Sequence, residues 1–433
     1  MLQLILIAFR NLLAHRRRTL LLGGAIAFVT ALFVLMTGLA NGMRSTMLES
    51  ATTLSTGHVN VGGFFKVAAG QSAPAVTGYA KVLELVKREV PEVDYVTHRG
   101  RGFAKLVGTD GSMFAVLSGL DVAQEPGFKR TVVIREGKLE DLAQAGTILL
   151  FEEQVKKLGV RVGDVITLSA PTFRGVNNTL DVRVAAVAAD MGMMSSISAY
   201  MPSQSLRDLY QYRPDTTGVI QIYLKDVSRV PAVRSHLREA LAKADYRMMD
   251  EDPRAFFMKF DVVNREGWTG QKLDVTTWEE ELSFVNWVIA VLGLLTFVLT
   301  AVLLVIIAVG IMNTLWIAIR ERTREVGTLR AIGMQRWRVL AMFMVEALML
   351  SLFGTLLGAA LGIGLCEAIT AAHIRAPEIV RLMLLSDQWY LRWQPGSVVA
   401  GVLIVTLCSM LVSLIPSFLA ARMKPVTAMH HIG

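Results

Sequence analysis

Cysteine is almost missing from this chain. The two present, Cys366 and Cys408, both fall in apolar runs, so the charged middle of the sequence cannot hold a disulfide, and small-residue packing is the default role for each. Charge is scarce as well, at 18% against the roughly 25% of an average globular chain, while 53% of residues are hydrophobic and the mean hydropathy is +0.47. The signatures of catalysis are also absent: there is no H-E-x-x-H, no C-x-x-C, no G-x-S-x-G and no phosphate loop of the form G-x-x-x-x-G-K-[ST]. His58, His98 and His236 stand singly. Asp250, Glu251 and Asp252 cluster in "MMDEDP", an acidic turn before a proline that reads as solvated rather than metal-binding. The sequence therefore offers no catalytic residue and no metal site, and it excludes an ordinary soluble enzyme.

What is there is long hydrophobic runs. Thr19 to Met43 carries no charge over 25 residues, Leu282 to Ile319 none over 38, Val339 to Thr370 is interrupted only by Glu346 and Glu367, and Trp393 to Ala421 is uncharged. Each exceeds the roughly 20 residues that cross a hydrocarbon core. Spans are expected at 19–43, 282–319, 339–370 and 395–418, the first as an uncleaved anchor because the run is too long for a signal peptide and no A-x-A site follows it. Arg10, Arg16, Arg17 and Arg18 precede the first span, and six arginines separate the second and third. Arg422 and Lys424 follow the fourth. The positive-inside rule then makes 1–18, 320–338 and 419–433 cytoplasmic, and leaves 44–281 and the loop 371–394 outside. This is the orientation of a multi-pass membrane protein with both termini cytoplasmic.

The formal charge of +8 divides along the same lines. The outer segment has 29 cations against 30 anions, whereas the cytoplasmic pieces have 12 cations against Glu321 and Glu325. The basic balance belongs to the membrane face, where it suits anionic lipid. It leaves no basic folded surface of the kind that binds nucleic acid.

Beyond the first span, Leu39, Met43, Met47, Ala51 and Leu54 keep helical spacing, which extends that helix to about Thr53. At the far end, Thr277 with Glu280 three residues on is a capping-box signature for the helix that becomes span two, with Trp278 and Trp287 suited to the outer interface. Between these stalks, "GHVNVGG", "SMFAVLSGL" and "VIQIYLKD" read as strands, and "YAKVLELVKREV" and "RVPAVRSHLREALAKA" as helices. The stretch from about 125 to 190 reads mostly as short strands with turns at Gly159, Gly163 and Asn177-Asn178. The expected class is an α-helical membrane protein with four transmembrane helices plus a large α+β extracytoplasmic domain, with a β-rich insertion, between helices one and two.

In the third span Gly354, Gly358 and Gly362 recur every four residues, a stripe that lets another helix approach closely. Glu346 lies near the cytoplasmic end of the same span, from which it either snorkels to the interface, the reading its position favours, or is buried against a helix terminus or a polar partner. The segment "RERTREVGTLRAIGMQRWRV", residues 320 to 339, places Val326, Leu329 and Ile332 at intervals of three between charges, with Gly333 placed to end a short amphipathic helix. By composition this helix could lie on lipid or dock on a protein.

That segment and its surroundings resemble the C-terminal region of the FtsX/MacB-type ABC transporter permeases, the mechanotransmission family. Asn313, Glu321, Arg322, Thr323, Glu325, Gly327, Leu329, Arg330, Ala331, Gly333, Glu346 and Ala347 match the family's pattern, and Pro416, Ala421, Arg422, Pro425, Val426 and Ala428 match its closing motif. The resemblance implies a non-catalytic permease subunit whose outer domain is a periplasmic core moved by a cytoplasmic ATPase dimer. ATP and magnesium would sit on that ATPase, a separate chain. It also implies a second permease copy or paralogue, and makes Glu321 to Gly333, including Arg324, Val326 and Ile332, the ATPase-coupling segment. "LSTGHVNVGG" after the first span looks most like the lipoprotein-release (LolC/LolE) branch, with a lipoprotein carrier. MacB-like export of peptides or amphiphiles through a periplasmic adaptor, and FtsX-like signalling to a cell-wall hydrolase, are the alternatives.

Overall fold

The computed structural model describes residues 10, 12, 14, 16–68, 70–172, 174–374 and 389–422. Lys424, Pro425, Val426 and Ala428 of the expected cytoplasmic tail lie outside the described residues. The chain forms two compact units, one holding residues up to 45 with 289–374 and 389–422, the other holding 46–288.

In the membrane unit four helices are long and apolar enough to cross a bilayer. Helix α1 is Arg16–Ser55. The numbering continues below through the extramembrane helices α2 (Tyr79–Glu89), α3 (Glu152–Leu158), α4 (Ser203–Tyr210), α5 (Val230–Lys243) and α6 (Trp278–Glu281). Then come α7 (Ser283–Glu321), the short α8 (Thr323–Ala331), α9 (Arg336–Ala371) and α10 (Pro395–Arg422). The glycine stripe of α9 lies on α1. A Cβ added at Gly358 would stand 2.3 Å from the Ala27 carbonyl oxygen and 2.8 Å from Thr30 Cβ, and one at Gly362 would stand 2.7 Å from Val34 Cβ. Gly354 meets Ile26 in the same way. Backbone-to-backbone approach at this distance excludes any side chain, which is the physical content of small residues at four-residue spacing in lipid.

Helix α7 packs through Ile307, Ile311 and Leu315 against Ile26, Val29 and Val405, and Ala318 and Ile319 are buried nearer its end. Most of its remaining apolar surface is exposed. Between α9 and α10 runs a polar seam: the hydroxyls of Thr355 and Thr406 are 3.3 Å apart, and Ser351, Ser409, Ser413 and Ser417 are buried beside them. Ser409 and Ser413 donate back to carbonyls one turn earlier, so those two hydroxyls have partners of their own, whereas the Ser417 hydroxyl has none among the described residues.

The extramembrane unit is built on one mixed sheet. Its strands are β1 (Val59–Ala68), β2 (Val93–Val107), β3 (Ser112–Leu120), β4 (Ile134–Gly137) and β5 (Thr147–Phe151). They continue with β6 (Val165–Pro171), β7 (Asn177–Ala188), β8 (Ser198–Pro202), β9 (Val219–Leu224) and β10 (Gly270–Thr277). The strand order is β10-β1-β9-β2-β3-β8-β5-β7-β4, with β6 pairing β2 and β7. Strand β2 belongs to both halves: residues from Val93 to Arg99 pair with β9, and Gly100 to Val107 pair with β3.

The first lobe buries β1, β9 and β10 against α2 and α5 through Val82, Leu85, Val86, Leu237 and Leu241. The second closes around Leu106, Leu117, Ile148, Leu150, Leu168 and Val184 with α4 on its surface. That second lobe takes in β3, β8 and α4 besides the stretch 125–190, so the β-rich part is wider than its sequence suggests. Three local expectations fail. "EEQVKKL" is helix α3, closed by Gly159 at φ 66, not strand. Asn177-Asn178 opens β7 rather than making a turn, because the turn falls at Thr172 to Val176. Trp278, expected at the membrane interface, is buried in the first-lobe core.

Gly358→Leu is expected to destabilise the α1–α9 contact by about 2 kcal/mol, within the range for overpacking. Thermal unfolding of the full chain in detergent would show it as a fall in Tm, with Gly364→Leu, at a position open to within 4 Å, unchanged.

Candidate functional site

The charged segment between spans two and three is a hinge followed by a helix. Helix α7 ends at Glu321, and Arg322 leaves helical geometry at φ −102, ψ 15 before α8 begins. Backbone bonds still run through the break, from Arg322 N–H to the Ala318 carbonyl at 3.2 Å and from Val326 N–H to the Arg322 carbonyl at 3.0 Å. The chain turns after α8 at Gly333, where φ is 103, and restarts as α9.

The Arg322 side chain is buried, and its Nη1 donates to Glu346 Oε2 of α9 at 3.0 Å. Glu346 is 4% exposed, so it does not snorkel: it is the counter-charge of the hinge residue. Thr323 and Gly327 are buried with it, and Val326 packs with Ile319, Val339, Met342, Phe343, Ala420 and Ala421. Arg322, Thr323, Val326 and Gly327 are therefore turned inward, onto the other helices of the membrane unit. The face turned away is Glu321, Arg324, Glu325, Ala331 and Ile332, the last 80% exposed, with Leu329 and Arg330 half-buried at its margin. Positions 324, 325, 328, 331 and 332 follow the spacing of one helix face, so this face is continuous.

The extramembrane unit has its own charged junctions, and sequence reading missed them. Arg99 of β2 is fully buried and fork-bonded to Glu125, Nε to Oε1 at 2.8 Å and Nη2 to Oε2 at 2.7 Å. Its remaining donors reach the Leu54 carbonyl at 2.8 Å and the Thr53 carbonyl at 2.9 Å, at the C-terminal end of α1. A helix ends with carbonyls that have no intrahelical donor and with partial negative charge, and a guanidinium answers both. Burial opposes the Arg99 charge, and Glu125 outweighs that effect, holding the guanidinium above its ordinary range. The Tyr200 hydroxyl donates a second bond to the Leu54 carbonyl at 3.1 Å.

Two residues further along the same strand face, Arg101 meets Glu281 of α6 at 3.5 Å and lies over the Phe256 ring at 4.4 Å. Glu281 also accepts from the Thr276 hydroxyl at 2.7 Å. The capping box at Thr277 forms, with Glu280 accepting from Thr277 N–H at 2.8 Å, but the turn it opens is only α6. Leu282 breaks it before α7 begins. Strand β2 thus grips both ends at which the chain leaves the extramembrane unit. Among the described residues no three His, Cys, Asp or Glu side chains come together as metal ligands.

Four helices long and apolar enough to cross a membrane, a helix break held by a buried ion pair and an α+β domain interposed after the first helix are the layout of a membrane permease subunit. Residues 19–240 match the MacB-like periplasmic core domain and residues 284–425 the FtsX-like permease C-terminal domain. The chain belongs to the FtsX/MacB family of ABC transporter permeases. "Macrolide export ATP-binding/permease protein MacB" of Agrobacterium fabrum (strain C58 / ATCC 33970) is 24% identical over 428 residues, 96% of this chain and 58% of that protein. The "Uncharacterized ABC transporter permease YknZ" of Bacillus subtilis (strain 168) is 26% identical over 170 residues, 39% of each chain. The chain thus spans less than two thirds of the MacB relative. The solved periplasmic region of MacB from Actinobacillus actinomycetemcomitans aligns with 53% of this chain and 94% of its own, at 14% identity and a TM-score of 0.32.

Arg99→Met should cost about 3–5 kcal/mol, because it strands the Glu125 carboxylate in the interior. Arg99→Met/Glu125→Leu should recover part of that loss. Denaturation of the full chain for wild type, both single variants and the double variant measures the coupling, and additive losses would contradict the pair.

Proposed function

We propose that this chain is the membrane subunit of an ATP-driven transporter, and that the outward face of α8 is where a cytoplasmic ATPase engages it. The observation that carries this reading is the division of α8. One side is pinned to the membrane helices through Arg322, Glu346 and Val326, and the other offers Arg324, Glu325 and Ile332. A push on such a helix is passed to α7 and α9 rather than absorbed, because its inner side is packed and charge-paired. ATP and magnesium would be held by the ATPase, since these 433 residues contain no phosphate loop. The second permease copy, the inner membrane and the cytoplasmic side for both termini belong to the same proposal.

For the cargo, the relatives aligned over almost the whole chain are named as macrolide exporters. MacB-like export of an amphiphile, with a periplasmic adaptor, is therefore favoured over lipoprotein release. The release reading rests on the resemblance of "LSTGHVNVGG" after the first span and of the overall permease layout.

In this account Ile332→Asp places a charge in the docked contact and should weaken ATPase association by about 2 kcal/mol. Arg324→Ala, a rim charge, should cost less. The check is co-purification of ATP-hydrolysing activity with the tagged chain from native membranes. Full recovery of activity with Ile332→Asp would overturn the docking face, and no such activity with wild type would overturn the transporter reading.

A further inference from the structure

A recess in the extramembrane unit opens beside the Arg101–Glu281 junction. Its walls include the end of α1 at Leu54, the strand β3 at Val116, and Glu281 and Leu282 just before α7. Phe256 and Phe257 line it too, and Ile197 and Phe257 are exposed, which marks its open side. The volume is about 110 Å³. A cavity of about 150 Å³ with apolar walls holds benzene, so the recess suits a body of one small ring.

Arg101 forms part of the wall and is 7% exposed. A guanidinium carries five N–H donors in a fixed fork. Arg99, two residues earlier on the strand, makes four hydrogen bonds of 2.7 to 2.9 Å. Arg101 makes one among the described residues, a long contact from Nη1 to Glu281 Oε1 at 3.5 Å, while the Phe256 ring covers it at 4.4 Å. Glu281 is better served, since it also accepts from the Thr276 hydroxyl at 2.7 Å.

The shortfall is therefore one of acceptors, not of charge. Arg101 and Glu281 already balance each other, so a bound anion would bring an uncompensated charge into an apolar recess. A neutral oxygen brings none. A donor removed from water without an acceptor is costly, and an oxygen that accepts from Arg101 removes that cost.

We infer that this recess binds a compact neutral molecule with an apolar ring and a carbonyl oxygen. The oxygen accepts from the Arg101 guanidinium, and the ring lies among Leu54, Val116, Phe256 and Leu282. Leu54 belongs to the last turn of α1 and Leu282 immediately precedes α7, so the ligand bridges the two places at which the chain leaves the extramembrane unit. The site stands independently of the ATPase proposal, because it needs only that unit.

The test is saturation-transfer NMR with cyclohexanone on the full chain in dodecyl maltoside, a detergent without a carbonyl, with empty micelles as the blank. Saturable binding is expected. The double variant Arg101→Met/Glu281→Leu removes the donors without stranding a carboxylate. It should weaken cyclohexanone roughly tenfold, the scale of one hydrogen bond to a charged group, and leave methylenecyclohexane, which has the same shape and no acceptor, unchanged. Val116→Phe should fill the recess and abolish binding of both, whereas Val165→Phe, the same change at an exposed position of β6, should leave both intact. If the double variant does not fold, Val116→Phe against Val165→Phe decides. Absence of saturable cyclohexanone binding, full binding by Val116→Phe, or an equal loss of the two ligands in the double variant would overturn the proposal. None of these results bears on ATPase co-purification.

Discussion

A buried charge needs polar partners, and this chain places oppositely charged pairs where its helices end. Arg322 with Glu346 closes the break between α7 and α8, Arg99 with Glu125 closes the end of α1, and Arg101 with Glu281 holds the turn before α7. Removing water from two ions costs several kcal/mol per ion, and their attraction offsets this only where geometry is good and further hydrogen bonds are made. Arg99 meets that condition through the fork to Glu125 and the two α1 carbonyls. These pairs add little net stability over apolar packing. What they add is position, since each is satisfied in one arrangement and penalised in others. For a protein read as a transmitter of movement, fixed positions at helix ends matter more than total stability.

The two junctions on β2 have a common logic. Arg99 and Arg101 are two residues apart on a strand and so share a face. One holds the last turn of α1 and the other the short helix before α7, while the strand beneath continues into the second lobe. Displacement at either helix end is therefore imposed on the strand common to both lobes.

Much of this architecture is legible in the sequence, for reasons that differ by element. The spans show because lipid tolerates no charge over about 20 residues, and α2 and α5 show because each buries one stripe of a 3.6-residue repeat. Strand β2 was invisible. "THRGRGFAK" carries two arginines and two glycines where alternation would be sought, because its arginines point inward to carboxylates 26 and 180 residues away. The charged segment after span two was legible as an amphipathic helix, but its inner and outer faces were not. Val326 looks like a docking residue until Val339, Phe343 and Ala420 are seen to cover it, and Glu346 looks like a residue at the lipid boundary until Arg322 is found opposite. Local pattern reports periodicity, and the choice of partner is a tertiary fact.

The account depends most on the pin between hinge and span. Hydrogen exchange of the α8 amides, in the full chain in nanodiscs with Glu346→Gln against wild type, tests it without any partner protein. If Arg322 and Glu346 hold α8 to the membrane helices, amides of residues 323–331 should exchange roughly tenfold faster in the variant, while those of α5 in the extramembrane unit stay as they are. Unchanged exchange in α8 would contradict the pin, and with it the route by which movement of α8 reaches the spans.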